Sequence, residues 1–125
     1  MSFAEPKPHA ASPKDVLTKA LVRASALLGL SQRALARILG VSESSVSRLD
    51  AGRRIDPATK EGELALLFLR MVRSLDAVLG GDAEACRRWF EAGNHHLNGV
   101  PAELVQSAAG LVRVTDYLDA VRGKM

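Results

Sequence analysis

This 125-residue chain has one cysteine, five aromatic residues and no long hydrophobic run. Each shortage excludes something. A lone Cys86 permits no intrachain disulfide and suits a reducing compartment, so a cytoplasmic protein is expected. The aromatic residues are Phe3, Phe68, Trp89, Phe90 and Tyr117. A core must therefore be built mostly from Leu, Val and Ala, as helical bundles allow. The longest apolar stretch, 64–72, is broken by Arg70 and is too short to span a bilayer, so no membrane association is expected. No charged-then-apolar leader with a cleavage site opens the chain. No alternating strand pattern, internal repeat or low-complexity tract is found. An all-α chain follows.

Net charge is low, at +3, but it is unevenly placed. Residues 1–60 hold ten Lys/Arg against five Asp/Glu, whereas the remainder holds seven against nine. A basic front half suits a polyanion, and a near-neutral back half suits protein contacts.

The richest segment is 30–54, LSQRALARILGVSESSVSRLDAGRR. Ser31 can cap a helix with Leu35, Ala36 and Leu39 inward. Gly40 supplies the sharp turn, and Val41 is an apolar plug. Ser42 can cap a second helix, closed by Gly52, with Val46 and Leu49 inward. Glu43, Ser44, Ser45, Ser47 and Arg48 then point outward. This is the layout of a helix-turn-helix, whose second helix fits the DNA major groove. An ordinary αα-hairpin is the competing reading. Cap, small residue, turn glycine and plug all falling at compatible positions favour the DNA reader.

Around this motif the pattern is helical throughout. Residues 1–11 lack an apolar period and are expected to be a mobile tail. Ser12-Pro13 starts a helix with a stripe of Val16, Leu17, Ala20, Leu21, Ala24, Leu27 and Leu28, which Gly29 ends. Asp56-Pro57 reads as the next cap-plus-proline start. Its helix, 56–79, is apolar over almost its whole circumference and needs cover on most sides, from the rest of the monomer, a second copy, or both. Gly80-Gly81 breaks it and marks a boundary, giving 12–80 as a DNA-binding and dimerisation domain and 81–125 as a second domain. Asp82 caps a short helix, 93–100 is a polar loop, Pro101 opens another helix, and Ser107 caps the last. There Leu111, Val114, Leu118 and Val121 form one stripe. Val112, Arg113, Asp116, Tyr117 and Arg122 lie off it, available to a partner.

Little points to chemistry. His95-His96 invites a metal, but adjacent loop residues rarely share an ion and no second ligand pair exists, so none is expected. No nucleophile elbow and no phosphate-cradling glycine loop occurs, so neither catalytic residues nor a cofactor are expected. Arg87-Arg88-Trp89-Phe90 has the residue types that stack on bases. The stronger reading makes Trp89 and Phe90 anchors of the C-terminal part, with the arginines solvated or bonded to loop carbonyls.

The run CRRWFEAGNHHLNGVPAELVQSAAGLVRVTDYLDAVRG, 86–123, resembles the toxin-binding domain of the Xre/MbcA/ParS family. The carriers are Arg88-Trp89-Phe90, Asn94, Leu97-Asn98-Gly99-Val100-Pro101, and Gly110-Leu111 through Val114 to Tyr117-Leu118. An Xre-like helix-turn-helix followed by this domain resembles the antitoxins of RES–Xre toxin–antitoxin modules. The resemblance implies a homodimeric antitoxin that binds a RES-domain, NAD-consuming toxin and represses its own operon at an inverted-repeat operator. It implies Gln32, Arg33, Glu43, Ser44, Ser45, Ser47 and Arg48 at the DNA. It also implies Asn94, Arg113, Tyr117, Arg122, Lys124 and Met125 at the toxin, with a tail flexible enough after Gly123 to enter a cleft. The alternative is a stand-alone phage-repressor-like regulator. For an enzyme, no sequence feature argues.

Overall fold

Seven helices occur among residues 12–125, which the computed structural model describes; the expected mobile tail, 1–11, lies outside them. Local chemistry fixes where most of them start. Ser12 caps α1 (Pro13–Leu27), accepting from the Asp15 N–H, with Pro13 in the first turn. Ser31 caps α2 (Gln32–Leu39) and Ser42 caps α3 (Glu43–Ser47) in the same way. Thr59 caps α4 (Lys60–Val78), Asp82 caps α5 (Ala83–Glu91) and Ser107 caps α7 (Ala108–Gly123). Between the last two, α6 (Pro101–Leu104) has no side-chain cap and opens on its proline.

Two boundaries differ from the sequence expectation. Asp56-Pro57 does not start α4. Asp56 instead makes a turn, its carboxylate accepting from the Ala58 N–H at 2.9 Å and its carbonyl from the Thr59 N–H at 3.1 Å. The first turn of α4 then presses directly on this turn. At Gly62 an added Cβ would overlap the Asp56 carbonyl and Pro57 backbone. The second difference is α3, which ends at Ser47 rather than running to Gly52. Beyond it, Leu49 and Ala51 make tighter bonds to Val46 and Arg48, and the Arg53 N–H returns to the Arg48 carbonyl at 2.9 Å. That closure buries Leu49 and leaves Gly52 at φ 105° in the turn.

One apolar core joins all of this. Phe68, Met71 and Leu75 of α4 are fully buried at its centre. α1 and α2 pack on one side of α4, and α7 lies along another, bringing Leu111, Val114 and Leu118 into the core. Val121 is only half-buried, so the expected stripe stops one turn early, and Thr115 joins the buried row, its hydroxyl donating to the Leu111 carbonyl. Buried polar groups are partnered. Thr18 accepts from the Ile55 N–H at 2.8 Å, tying α1 to the segment before α4. Ser74 donates to Asp119 at 2.7 Å, and Arg70 forms an ion pair with the other Asp119 oxygen, so α4 and α7 are joined by charge as well as packing. Two expected core positions stay outside: Val16 is 55% and Leu66 49% exposed. Among the described residues, no helix is long and apolar enough to cross a membrane.

Gly110 repeats the tight approach seen at Gly62, since a Cβ there would overlap the Leu104 carbonyl. Overpacking against backbone costs about 1–3 kcal/mol or more. Gly62→Ala and Gly110→Ala should each lower Tm by several degrees in a calorimetric or circular-dichroism melt. Gly93→Ala, with open space around it and no unusual φ, should leave Tm nearly unchanged.

Candidate nucleic-acid interface and partner surface

The second helix of the motif is short, and three features hold it. Val46 and Leu49 are buried beneath it, and Val41 is half-buried beside the turn. The Ser42 hydroxyl accepts from the Ser45 N–H at 3.1 Å and lies 3.1 and 3.0 Å from the Ser44 and Ser45 hydroxyls. The third feature is Arg53. Its Nε donates to the Ser45 carbonyl at 2.8 Å, while Nη1 and Nη2 donate to the two Glu61 carboxylate oxygens at 2.9 and 2.7 Å. Such a bidentate pair fixes direction as well as distance. Glu61 holds the guanidinium pKa above its ordinary value, against the smaller opposing effect of burial. Arg53 thus anchors α3 to the first turn of α4. Nothing in the sequence marks Arg53 and Glu61 as partners. Their pairing spans a loop, which no fixed spacing reveals.

Most of the candidate DNA-contacting residues are exposed. Glu43, Ser44, Ser47 and Arg48 are exposed on and just after α3, and Gln32 and Arg33 are exposed at the start of α2. Ser45 is half-buried, and its hydroxyl accepts from Arg48 Nη2 at 3.3 Å. The surface therefore presents short hydroxyls, one acid and two unburied arginines, with the Arg48 side chain folded back over the helix.

The C-terminal candidates behave differently. Asn94 shapes its own loop: its Oδ1 accepts from the Leu97 N–H at 3.0 Å, and its backbone pairs with that of Gly99. Arg113 donates to the Leu97 carbonyl at 2.6 Å. His96 stacks on Tyr117 with ring centroids 5.8 Å apart. The loop is thus laid against one side of α7, and Asn94, Arg113 and Tyr117 maintain that shape. Arg122, Lys124 and Met125 stand apart from it, all exposed. Helix α7 runs through Gly123, and the Lys124 and Met125 N–H groups bond to the Val121 and Arg122 carbonyls at 3.1 and 3.2 Å. Continued backbone bonding makes these three residues a helix end.

Of the Arg-Arg-Trp-Phe run, Phe90 is buried and Trp89 half-buried. Arg87 donates twice to the Leu27 carbonyl, at 3.3 and 3.2 Å, closing the C-terminal end of α1. Burial pushes the Cys86 thiol pKa up, so it stays protonated. Among the described residues, no three His, Cys, Asp or Glu are grouped to hold a metal ion.

Comparison with known proteins follows this division. Residues 7–70 match the antitoxin Xre-like helix-turn-helix domain, and residues 74–124 match the antitoxin Xre/MbcA/ParS C-terminal toxin-binding domain. A chain of the M. tuberculosis MbcT-MbcA toxin-antitoxin complex superimposes with a TM-score of 0.64 at 25% identity, over 88% of this chain and 96% of that one. No curated protein matches.

The Arg53 anchor is directly testable. Hydrogen bonds to charged groups each contribute about 1.5–3 kcal/mol. Arg53→Ala and Glu61→Gln should both lower Tm. Both should speed amide exchange selectively at 45–49, measured by hydrogen–deuterium exchange. Uniform exchange changes across the chain would deny Arg53 its specific hold on α3.

Proposed function

This chain belongs to the Xre/MbcA/ParS family of antitoxins, and we propose from that premise that it neutralises a RES-domain, NAD-consuming toxin and represses its own operon. The observation that carries the reading is the joining of an outward, serine- and arginine-bearing reader to a toxin-binding domain of the same family. The chain acts by binding, without cofactor or metal. Residues 12–80 serve DNA binding and dimerisation, and residues 81–125 serve the toxin.

At the DNA, Glu43, Ser44, Ser47 and Arg48 meet base edges, while Gln32, Arg33 and Ser45 lie nearer phosphates. One reader per chain requires a homodimer for an inverted-repeat operator, with readers about 34 Å or a multiple apart along the duplex. Swinging Arg48 away from Ser45 frees a guanidinium to read guanine, a contact of about 1–3 kcal/mol. Arg48 is exposed and anchors nothing in the core. Arg48→Ala should therefore keep its Tm, lose sequence preference in a competition shift assay, and retain salt-sensitive nonspecific binding.

At the toxin, Arg122, Lys124 and Met125 present two cations and an apolar tip from the end of α7. A cleft built for an anionic dinucleotide attracts such cations, and filling it excludes NAD. Asn94, Arg113 and Tyr117 set the shape of the neighbouring contact surface.

Co-expression with the adjacent gene product, followed by size exclusion and an NAD-consumption assay, tests the whole reading. A stable complex with suppressed NAD loss is expected. The truncation lacking 122–125 should fold and bind operator but protect poorly. Full protection by that truncation would move the blocking surface towards 89–97. A gene neighbour that forms no complex, with intact operator binding, would leave a stand-alone regulator instead.

A further inference from the structure

The outward face of α4 carries Glu63, Leu66, Arg70 and Arg73 at helical spacing, all exposed. Beside Leu66 runs an apolar groove of about 430 Å³ between α1 and α4, lined by Val16, Leu17, Ala20, Leu69 and the Arg73 stem. Among the described residues, only four large hydrophobics are exposed, and two of them, Val16 and Leu66, border this groove. Exposed apolar residues scattered singly are ordinary, but clustered ones mark a partner.

We propose that a second copy of this chain covers this face, with α4 against α4 in antiparallel sense about a two-fold axis near Leu66. The proposal rests on the homodimer reading above and says which surface makes the dimer. A two-fold interface must be complementary to itself, because one patch supplies both sides. This face meets that condition in charge and in shape. Its N-terminal end is acidic at Glu63, its centre is apolar at Leu66, and its C-terminal end is basic at Arg70 and Arg73. Glu63 and Arg70 lie about equally far from Leu66 along the helix. Antiparallel pairing therefore sets Glu63 of one copy beside Arg70 of the partner subunit, with the partner's Arg73 within reach, and does so twice. Leu66 of each copy enters the groove of the other, against Val16 and Ala20.

The same features disfavour other occupants. Glu63 and Leu66 repel or waste a polyanion. Among the described residues of the separate chain, Glu63 pairs with exposed Lys60 at 3.3 Å, and Arg70 reaches Asp119 while itself 65% exposed. The Glu63–Lys60 pair, exposed at both ends, is weak and is readily given up to an incoming charge.

The test uses the full chain and sedimentation equilibrium with light scattering. Leu66→Glu and Glu63→Arg should each raise the dimer dissociation constant on the order of 100-fold. Both positions are exposed, so melts and circular dichroism should show an intact fold. Glu63→Arg combined with Arg70→Glu should recover much of the lost affinity, because the pairs re-form with signs reversed. A wild-type monomer at micromolar concentration would remove both the homodimer reading and this surface. A wild-type dimer untouched by either single variant would keep the homodimer and overturn this surface. Variants that stay dimeric but lose the toxin or the operator would overturn it too, assigning the face to that partner.

Discussion

Phe68, Met71 and Leu75 lie along one side of α4 with no measurable exposure, and the rest of the structure depends on keeping them dry. Burying each such side chain contributes about 1.5–3 kcal/mol. Neither half of the chain can do this alone. Helices α1 and α2 cover part of α4, and α7 covers another part. A short protein with few aromatic residues thereby obtains one core of useful size instead of two marginal ones. The shared helix also means that the two halves are mechanically joined. Arg87 of α5 caps α1 at the Leu27 carbonyl, and Arg37 of α2 reaches Gln106 after α6 at 3.2 Å. A load on the C-terminal half therefore reaches the first two helices through side chains as well as through the core.

The reader gains most from this arrangement. An isolated five-residue helix has no stability of its own in water, because nucleation fixes several residues for one hydrogen bond. Helix α3 persists because Ser42 ends it cleanly, Val46 and Leu49 pin its inner side, and Arg53 ties its Ser45 carbonyl to Glu61. A similar logic fixes the start of α1. Arg54 and Asp15 pair at 2.6 Å, and the guanidinium holds the Asp15 carboxyl below the ordinary carboxylate range. A carboxylate with a depressed pKa contributes stability above its unfolded value and loses it as pH falls through the folded one. The contribution of this exposed pair is therefore small, present near neutrality and lost in acid.

Much of this was legible in the sequence, for identifiable reasons. Ser12, Ser31, Ser42, Asp82 and Ser107 cap helices through bonds to residues three positions on, so composition alone locates them. The turn at Gly40 and the break at Gly80-Gly81 are likewise local, with φ near 70–80°. The rest was settled by tertiary contact. Asp56-Pro57 has the chemistry of a helix start, yet Thr59 takes that role because Gly62 must close on the Asp56 turn. Arg113 and Tyr117 lie off the apolar stripe, as spacing says, but both are already engaged by the loop holding Asn94, Arg113 through the Leu97 carbonyl and Tyr117 through His96. Periodicity identifies the face a helix turns away from its stripe. It does not say whether another loop of the same chain already occupies that face.

The end of α7 shows the same limit from the other direction. A glycine near a helix terminus suggests where order stops, and Gly in a helix costs about 1 kcal/mol relative to Ala. Here the backbone bonding continues past Gly123, so Arg122, Lys124 and Met125 are held in a fixed relation to the core stripe. Met125 remains 76% exposed at the tip. A partner that takes this end therefore orders fewer residues than one that captures a loose tail, and loses less of its binding energy to that ordering. Val121 is the last residue of α7 with partial burial, so the helix divides into a part that belongs to the fold and a part that is offered outward.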